Sequence, residues 1–333
     1  MKKIFFILCI SVLCANCFSQ NNFKVLKSFP VSGNGWWDYI AVHENNIYTA
    51  HGTQVNINDK NTGAAIAVIN STSGVHGIAF DDATGKGFTS NGKLNNVFVF
   101  DLKTNKVIDS IATGQGPDAI MYEPFTKKII TCNGHSNDLS IIDPVTNKLV
   151  ATIPLKGKPE TAVSNGEGKL YVNDEDNGNI IVVDLKTFSV EANWSLNGGE
   201  APTGLVYDAA TKRLFAGCDN NLLVAVDATN GKVISRVAIG SGCDGVAFNA
   251  ESQTIFTSNG EDGTITVIKE NSGKDLKVVE TITTQISART IIEDPATHLL
   301  YLPAAAFEAG AAQGQRPKIV EGSFKVIVVG VNK

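Results

Sequence analysis

The sequence predicts an all-β fold, a seven-bladed β-propeller with four antiparallel strands per blade, in which the N-terminal strand closes the last blade. Three observations predict it. A short motif recurs seven times at a period of about 42 residues. Each copy holds four β-branched runs separated by turns. The chain is one strand short at its C-terminal end and has one strand to spare near its N-terminus. Seven repeats of that length point to a propeller, a solenoid or an array, and four strands per repeat select the propeller.

The recurring motif is a polar residue followed by a short apolar run. It appears as DYIAVH (38–43), HGIAFDD (76–82), DAIMYE (118–123), ETAVSN (160–165), TGLVYD (203–208), DGVAFN (244–249) and RTIIED (289–294). The lead residues are Asp38, His76, Asp118, Glu160, Thr203, Asp244 and Arg289, at spacings of 38, 42, 42, 43, 41 and 45. They place blade starts near 38, 76, 118, 160, 203, 244 and 289. A second run follows and ends in a turn, as in TSNG (89–92), TCNG (131–134) and TSNG (257–260). A third ends in Asp, as in VFVFD (97–101), LSIID (139–143) and IIVVD (180–184), and a Thr- or Asn-bearing turn leads to the fourth. No window sustains a helical apolar period.

The seventh copy stops after its third run, FKVIVVGVN (324–332). FKVLKSFPVSG (23–33) reads as a fourth strand without the other three. Pairing the two would remove exposed sheet edges. One segment departs from the pattern: residues 304–322 in the seventh copy hold Ala, Gly, Gln and Pro with no strand period. A long structureless link in a compact domain reads as a mobile loop or as a flap over the mouth.

Residues 1–19 read as a signal peptide, with Lys2 and Lys3 before an apolar stretch from Ile4 to Leu13 that is too short to span a membrane. Cleavage is expected before Gln20, leaving 20–333 as one domain. Neither Cys14 after Leu13 nor Cys17 after Asn16 suits a lipid anchor, so soluble export to the periplasm of a Gram-negative cell, or secretion, is favoured. A monomer with no transmembrane segment is expected. At a formal charge of −5, nothing suggests a phosphate-binding surface, and nucleic acid is a poor partner. Cys132, Cys218 and Cys243 lie beyond the signal, an odd number that allows one disulfide in an oxidising compartment. Cys218 and Cys243 fall on neighbouring blades at one face, but a bridge needs Cα atoms within about 7 Å, and free thiols are favoured.

The units resemble the YVTN-repeat, or YncE-like, propellers of exported bacterial proteins. The resemblance rests on GQGPDA (114–119), GKPETA (157–162) and GEAPTG (199–204), and on third strands ending in Asp. The stretches GWWDYIAV (35–42), TAHGT (49–53), GVHGIAF (74–80) and ARTIIEDPATHLLYLPAA (288–305) look like marks of one full-length periplasmic subfamily. The resemblance implies the fold. It implies no single activity, because such propellers include binding proteins, lactonases and lyases.

In a propeller the first strand of each blade lines the channel, so the seven leads should ring one mouth, the top face. Six of the seven are ionisable: Asp38, His76, Asp118, Glu160, Asp244 and Arg289. Exposed rims are commonly charged, yet six of seven is a high share in a chain with 18% charged residues. Four carboxylates at about 8 Å spacing would cost roughly 2 kcal/mol per pair at an effective dielectric near 20, a strain that Arg289, a histidinium or a bound cation would relieve. A second column, 13 to 15 residues after each lead, reads His51, Asn91, Asn133, Asn173, Cys218, Asn259 and Pro303. The asparagines read first as turn residues that tolerate positive φ. His51 does not, and it is expected to share the mouth with Asp38 and His76. An imidazole beside carboxylates suits acid–base chemistry or a divalent metal, Ca²⁺ or Zn²⁺, for which Asp38, His51, His76 and Glu160 are candidates. Candidate catalytic groups are His51, His76, Glu160 and Arg289. Trp37, with Trp36, is either a stacking platform at the mouth or packing between blades. His43, His135 and His298 fall outside the mouth.

No nucleophile elbow, P-loop or dinucleotide-binding glycine pattern is present. Two functions follow: binding of a small molecule or peptide at the mouth, or metal-assisted lactonase, hydrolase or lyase chemistry by the same residues.

Overall fold

The computed structural model describes residues 23–270, 275–310 and 316–331. The expected signal peptide, 1–19, lies outside the described residues. The described chain forms seven four-stranded antiparallel sheets in a ring, a seven-bladed β-propeller. Among the described residues there is no helix, and so none long and apolar enough to cross a membrane.

Six blades consist of consecutive strands. The seventh is built from both ends of the chain, in the order Phe23–Pro30, Lys325–Val331, Leu300–Ala304 and Ile292–Glu293. The N-terminal strand pairs from Phe23 opposite Val331 to Pro30 opposite Lys325, which is the closure expected from the missing fourth strand. The first strand of this blade is shorter than RTIIED predicts: only Ile292 and Glu293 pair, opposite Tyr301 and Leu300. Arg289 therefore stands in the segment before the strand.

Seven apolar clusters fill the junctions between neighbouring blades. Tyr48, Ile57 and Phe100 fill the junction of blades 1 and 2; Ile130, Leu139, Leu170 and Val172 that of blades 3 and 4. At the closing junction, Phe29, Trp37, Ile47, Tyr301 and Phe324 pack together. The middle strands are buried on both sheet faces, whereas the outermost strands are exposed along most of their length and bury little more than one residue near their ends.

The repeat motifs have identifiable local jobs. Aspartates at the ends of third strands accept from the turn that follows: Asp101 takes bonds from the Lys103 N–H (3.1 Å), the Thr104 N–H (2.8 Å) and the Thr104 hydroxyl (2.8 Å). That is why Thr recurs after Asp. The column asparagines are not positive-φ turn residues, because Asn91, Asn133 and Asn259 keep strand geometry at the ends of second strands. Their side chains are buried and link strands two and three instead: Thr131 donates to Asn133 (2.9 Å), which donates to Ser140 (2.9 Å). Positive φ falls further into the hairpins, at Asn95 and Asn137.

The three cysteines at 132, 218 and 243 are free and buried. No bridge joins Cys218 to Cys243, in line with the favoured alternative. Burial pushes the Cys218 thiol up to about 12, and Cys132 and Cys243 are pushed up as well.

Candidate functional site

A β-bulge presents the lead residues. In each of blades 1 to 6 the register between first and second strands slips immediately after the first pair, between Trp37 and Ile40, Val75 and Ile78, Pro117 and Ile120, Pro159 and Ala162, Pro202 and Leu205, and Cys243 and Gly245. The leads stand inside these slips. A bulge re-aims the side chain it carries, and here it turns one residue per blade toward the neighbouring leads.

Five leads form an arc across blades 6, 7, 1, 2 and 3 in which the acids alternate with Arg289 and His76. Arg289 pairs with Asp244 through Nη1, and its Nη2 lies 3.3 Å from Asp38 Oδ1. Asp38 Oδ2 lies 2.5 Å from His76 Nδ1, which is 3.5 Å from Asp118 Oδ1. Backbone contacts fix the arc. Arg289 Nη2 donates to the Trp37 carbonyl (2.6 Å) and the Thr290 hydroxyl to the Asp38 carbonyl (2.8 Å). The serines of the two TSNG motifs, Ser90 and Ser258, donate to the carbonyls of the next leads, Asp118 and Arg289. Thr203, the one neutral lead, donates to the Cys243 carbonyl at 2.7 Å.

Glu160, 8% exposed, stands apart from the arc. Its Oε1 accepts from the Tyr39 hydroxyl at 2.8 Å, with the Thr161 hydroxyl 3.5 Å from the same oxygen of Tyr39. Tyr39 belongs to blade 1 and Glu160 to blade 4, so the phenol ring bars the channel. Sequence reasoning missed Tyr39. The residues that follow the leads are Tyr39, Gly77, Ala119, Thr161, Gly204, Gly245 and Thr290. One large residue among six small ones was the available signal. The small ones have a reason: a Cβ on Gly77 would come within 2.8 Å of Ile120 Cγ2, and one on Gly204 within 2.6 Å of the Val246 nitrogen. Blades meet too closely there for a side chain.

The electrostatics favour an incoming positive charge. Burial, then the Asp38 and Asp244 carboxylates, hold the Asp118 carboxyl well above the usual carboxylate range. Glu160 is raised well above its ordinary value by burial and by Asp118 and Asp244, against the Tyr39 hydrogen bond. Asp244 is raised by burial, with Arg289 opposing. For Arg289, burial is outweighed by Asp244 and Asp38, which hold the guanidinium above its ordinary value. Asp118 Oδ1 is screened from solvent and accepts no hydrogen bond, so a carboxylate oxygen is left without a donor. Lys158, close to this sector, is engaged with Glu175.

The structure groups some of the metal candidates and separates others. Asp38, His76 and Asp118 each offer one donor atom, all within 4.8 Å of one another. One imidazole and two carboxylates form a mixed set that suits a first-row divalent ion better than Ca²⁺. His51 and Glu160 are not part of that group. His51 is opposite Trp37 in the register, 1% exposed, with its ring centroid 3.9 Å from that of Phe324 in blade 7. It reaches the top face but on the blade-7 side of its sheet. Burial lowers its pKa and keeps the imidazole neutral. It lines a separate cavity of about 290 Å³ with Gly33, Asn34, Ile319 and Glu321.

Trp37 is 2% exposed and packs in the closing junction against Phe324 (5.4 Å). It is interblade packing, not a platform. Trp36 stacks on it (5.8 Å), and the insertion folds over the pair: Phe307 lies 5.7 Å from Trp36, and the Arg316 guanidinium sits 4.0 Å from the centre of a Trp36 ring. The described ends of the insertion pair with each other, Phe307 with Ile319. The described ends of the insertion thus cover the tryptophans and line the His51 cavity.

Below Tyr39 the channel is apolar. A cavity of about 200 Å³ is lined by Tyr39, Ile78, Ile120, Met121, Cys132 and Thr161 among others. A second, toward the opposite face, shares Met121 and Ile292 with it and ends at Glu293.

Comparison with known proteins adds to the fold alone. No family model and no curated protein matches the sequence. Among solved structures, the chain is similar to the WD40 repeats of RRP9 (TM-score 0.77, 11% identity, 93% of this chain and 97% of that one). It is similar to U3-55K to the same degree (0.77, 11%, 93% and 98%). Hydrazine synthase of Kuenenia stuttgartiensis matches at a TM-score of 0.71 and 13% identity, over 81% of this chain and 94% of that chain. At such identities the shared property is the propeller.

Proposed function

We propose that the protein is an exported propeller of the YncE-like kind that binds a small molecule or a peptide through a cationic group at its top mouth. One observation carries this reading: four carboxylates stand at one mouth, where Asp38, Asp118 and Asp244 share one guanidinium and one imidazole and Glu160 has a phenol. Two of the four, Asp118 and Glu160, are pushed furthest toward their neutral forms, and an arriving cation would let them ionise. Asp118 Oδ1 accepts no hydrogen bond and has the His76 imidazole 3.5 Å away. The YncE-like repeat marks and the Lys2–Leu13 segment support export to the periplasm or beyond. Ligand-observed NMR with methylammonium tests the reading: binding at neutral pH that is lost in Asp118→Asn and Glu160→Gln supports it, and equal binding by the variants sinks it.

A second reading has its own observation. The donor atoms of Asp38, His76 and Asp118, within 4.8 Å of one another, fit a divalent metal. Such an ion would supply a Lewis acid for hydrolytic or lyase chemistry. The residues' own part would be to hold it, with Arg289 steadying Asp38 from the other side. Elemental analysis of the protein purified without chelator separates the two readings: one equivalent of a transition metal, lost in His76→Ala, favours the second.

A further inference from the structure

The channel beneath the mouth has a lining that the cationic-ligand reading does not use. Ile40, Ile78, Ile120, Met121 and Ile292 face a chamber of about 200 Å³, whose polar side chains are Tyr39 and Thr161 at the mouth end. A chamber of that size would hold about six waters at roughly 30 Å³ each, and waters are stable only where they find several polar partners. An apolar cavity of about 150 Å³ is large enough to take benzene. The chamber therefore matches a six-carbon group better than it matches solvent.

The closure of this chamber is tied to the carboxylates above it. Tyr39 reaches across from blade 1, and its hydroxyl is held by Glu160, the residue directly before Thr161 in the chamber wall. Glu160 is buried, and its partner in this arrangement is a neutral phenol. An ammonium group is a stronger donor to a carboxylate than a phenol is. It would take Glu160 from Tyr39 within the field of Asp118, whose Oδ1 accepts no hydrogen bond and has the His76 imidazole 3.5 Å away. The released phenol then no longer bars the channel. Whatever apolar chain the ammonium carries lies at the opening.

We infer that the ligand is a primary amine bearing a compact apolar chain of up to about six carbons, with the ammonium on Glu160 and Asp118 and the chain in the chamber beneath Tyr39. The inference rests on the cationic-ligand reading above and adds the identity of the other half of the ligand. Chamber volume sets the length over which each carbon gains apolar contact; past Met121 and Ile292 the channel opens into the second cavity toward Glu293, where a longer chain gains less, and the apolar lining of the chamber itself disfavours a charge within it.

The test is a ligand-observed NMR titration with the linear series from methylammonium to octylammonium, and with the alcohols of the same lengths. Each methylene buried should tighten binding about fourfold until the chamber is full. The expected result is a rise in affinity from methyl to about hexyl, a plateau or fall at octyl, and weaker binding by every alcohol. Ala162→Leu narrows the chamber and should flatten the series while leaving methylammonium binding as it was. Ala162→Val, a smaller intrusion at the same position, is the second variant should the first not fold. A flat series with methylammonium still bound overturns the inference and leaves the cationic mouth standing. Failure of every amine, methylammonium included, overturns both.

Discussion

Replacing Asp118 by Asn should stabilise the ligand-free protein at neutral pH. Donor oxygens of Asp38 and Asp118 lie within 4.8 Å of each other. Two full charges at that separation repel by about 3.5 kcal/mol at an effective dielectric near 20. His76 Nδ1 stands between them, and Asp118 is 22% exposed, so a net gain of about 1–2 kcal/mol is the reasonable expectation, or a rise of about 2–4 °C in Tm. The sign with pH follows from the direction of the shift. Asp118 is raised well above its ordinary value in the folded protein, so between the unfolded value of about 3.9 and that raised value the folded state holds the extra proton. Its contribution is fully present below about pH 4 and is lost as pH rises through the folded value, at up to about 1.4 kcal/mol per pH unit. The Asn variant has no such loss. Urea unfolding of both proteins from pH 4 to 8, freed of amines and metals, should show curves that meet near pH 4 and separate toward pH 8, the variant above. A variant that is less stable at pH 8, or parallel to wild type throughout, would refute the claim that this mouth stores carboxylate repulsion. A solvated rim residue would change stability by less than about 0.5 kcal/mol at any pH.

Phe29→Ala should cost about 3–5 kcal/mol in urea unfolding, because Phe29 fills the closing junction against Phe324 and Tyr301; a cost under about 1 kcal/mol would mean that the N-terminal strand does not carry ring closure. Trp36→Ala removes the ring under Phe307 and Arg316, and a loss of about 1 kcal/mol of anchoring should speed trypsin cleavage after Lys318 about fivefold. Cys132, Cys218 and Cys243 should resist a thiol reagent at pH 8 in the native protein and react after unfolding, since burial raises all three, Cys218 to about 12; rapid native labelling would contradict their burial.

Repetition made the fold legible. A blade is one supersecondary unit copied, so lead spacing gives the number of blades, and the missing strand at one end identifies its replacement at the other. The rank of the leads at one mouth was legible for the same reason. What repetition could not convey was direction within a blade. The column holding His51 correctly falls at the top of second strands, yet a strand has two faces, and the register opposite Trp37 sends His51 toward Phe324 in blade 7. The asparagines in the same column looked like turn residues because Gly follows them, but Thr131 and Ser140 bind Asn133 inside the sheet. The bulges were also invisible: they show only as a slip in pairing, and no residue type marks them. Tyr39 was legible but unread. It required comparing the position after each lead instead of the lead itself.

The seven-fold repeat gives seven equivalent positions, and the chemistry lies in how their residues differ. From blade 6 round to blade 2 the acids alternate with Arg289 and His76, so Asp244, Arg289, Asp38 and His76 largely satisfy one another. Neutralised in this way, that arc can position groups but has little left to attract a ligand. The remaining sector, blades 3 to 5, breaks the alternation. Asp118 ends the arc with an oxygen that accepts no hydrogen bond, Glu160 has only a phenol, and Thr203 turns its hydroxyl to a backbone carbonyl. Neither acid has a close cationic partner: His76 is 3.5 Å from Asp118 Oδ1, and Lys158, which acts on both acids from a distance, is paired with Glu175. A ring evolved only for packing would gain by placing Lys or Arg at one of these two positions, because that would end the repulsion and complete the alternation. Keeping two acids there makes sense when the missing positive charge comes from outside the protein, and Tyr39 holds the place until it arrives.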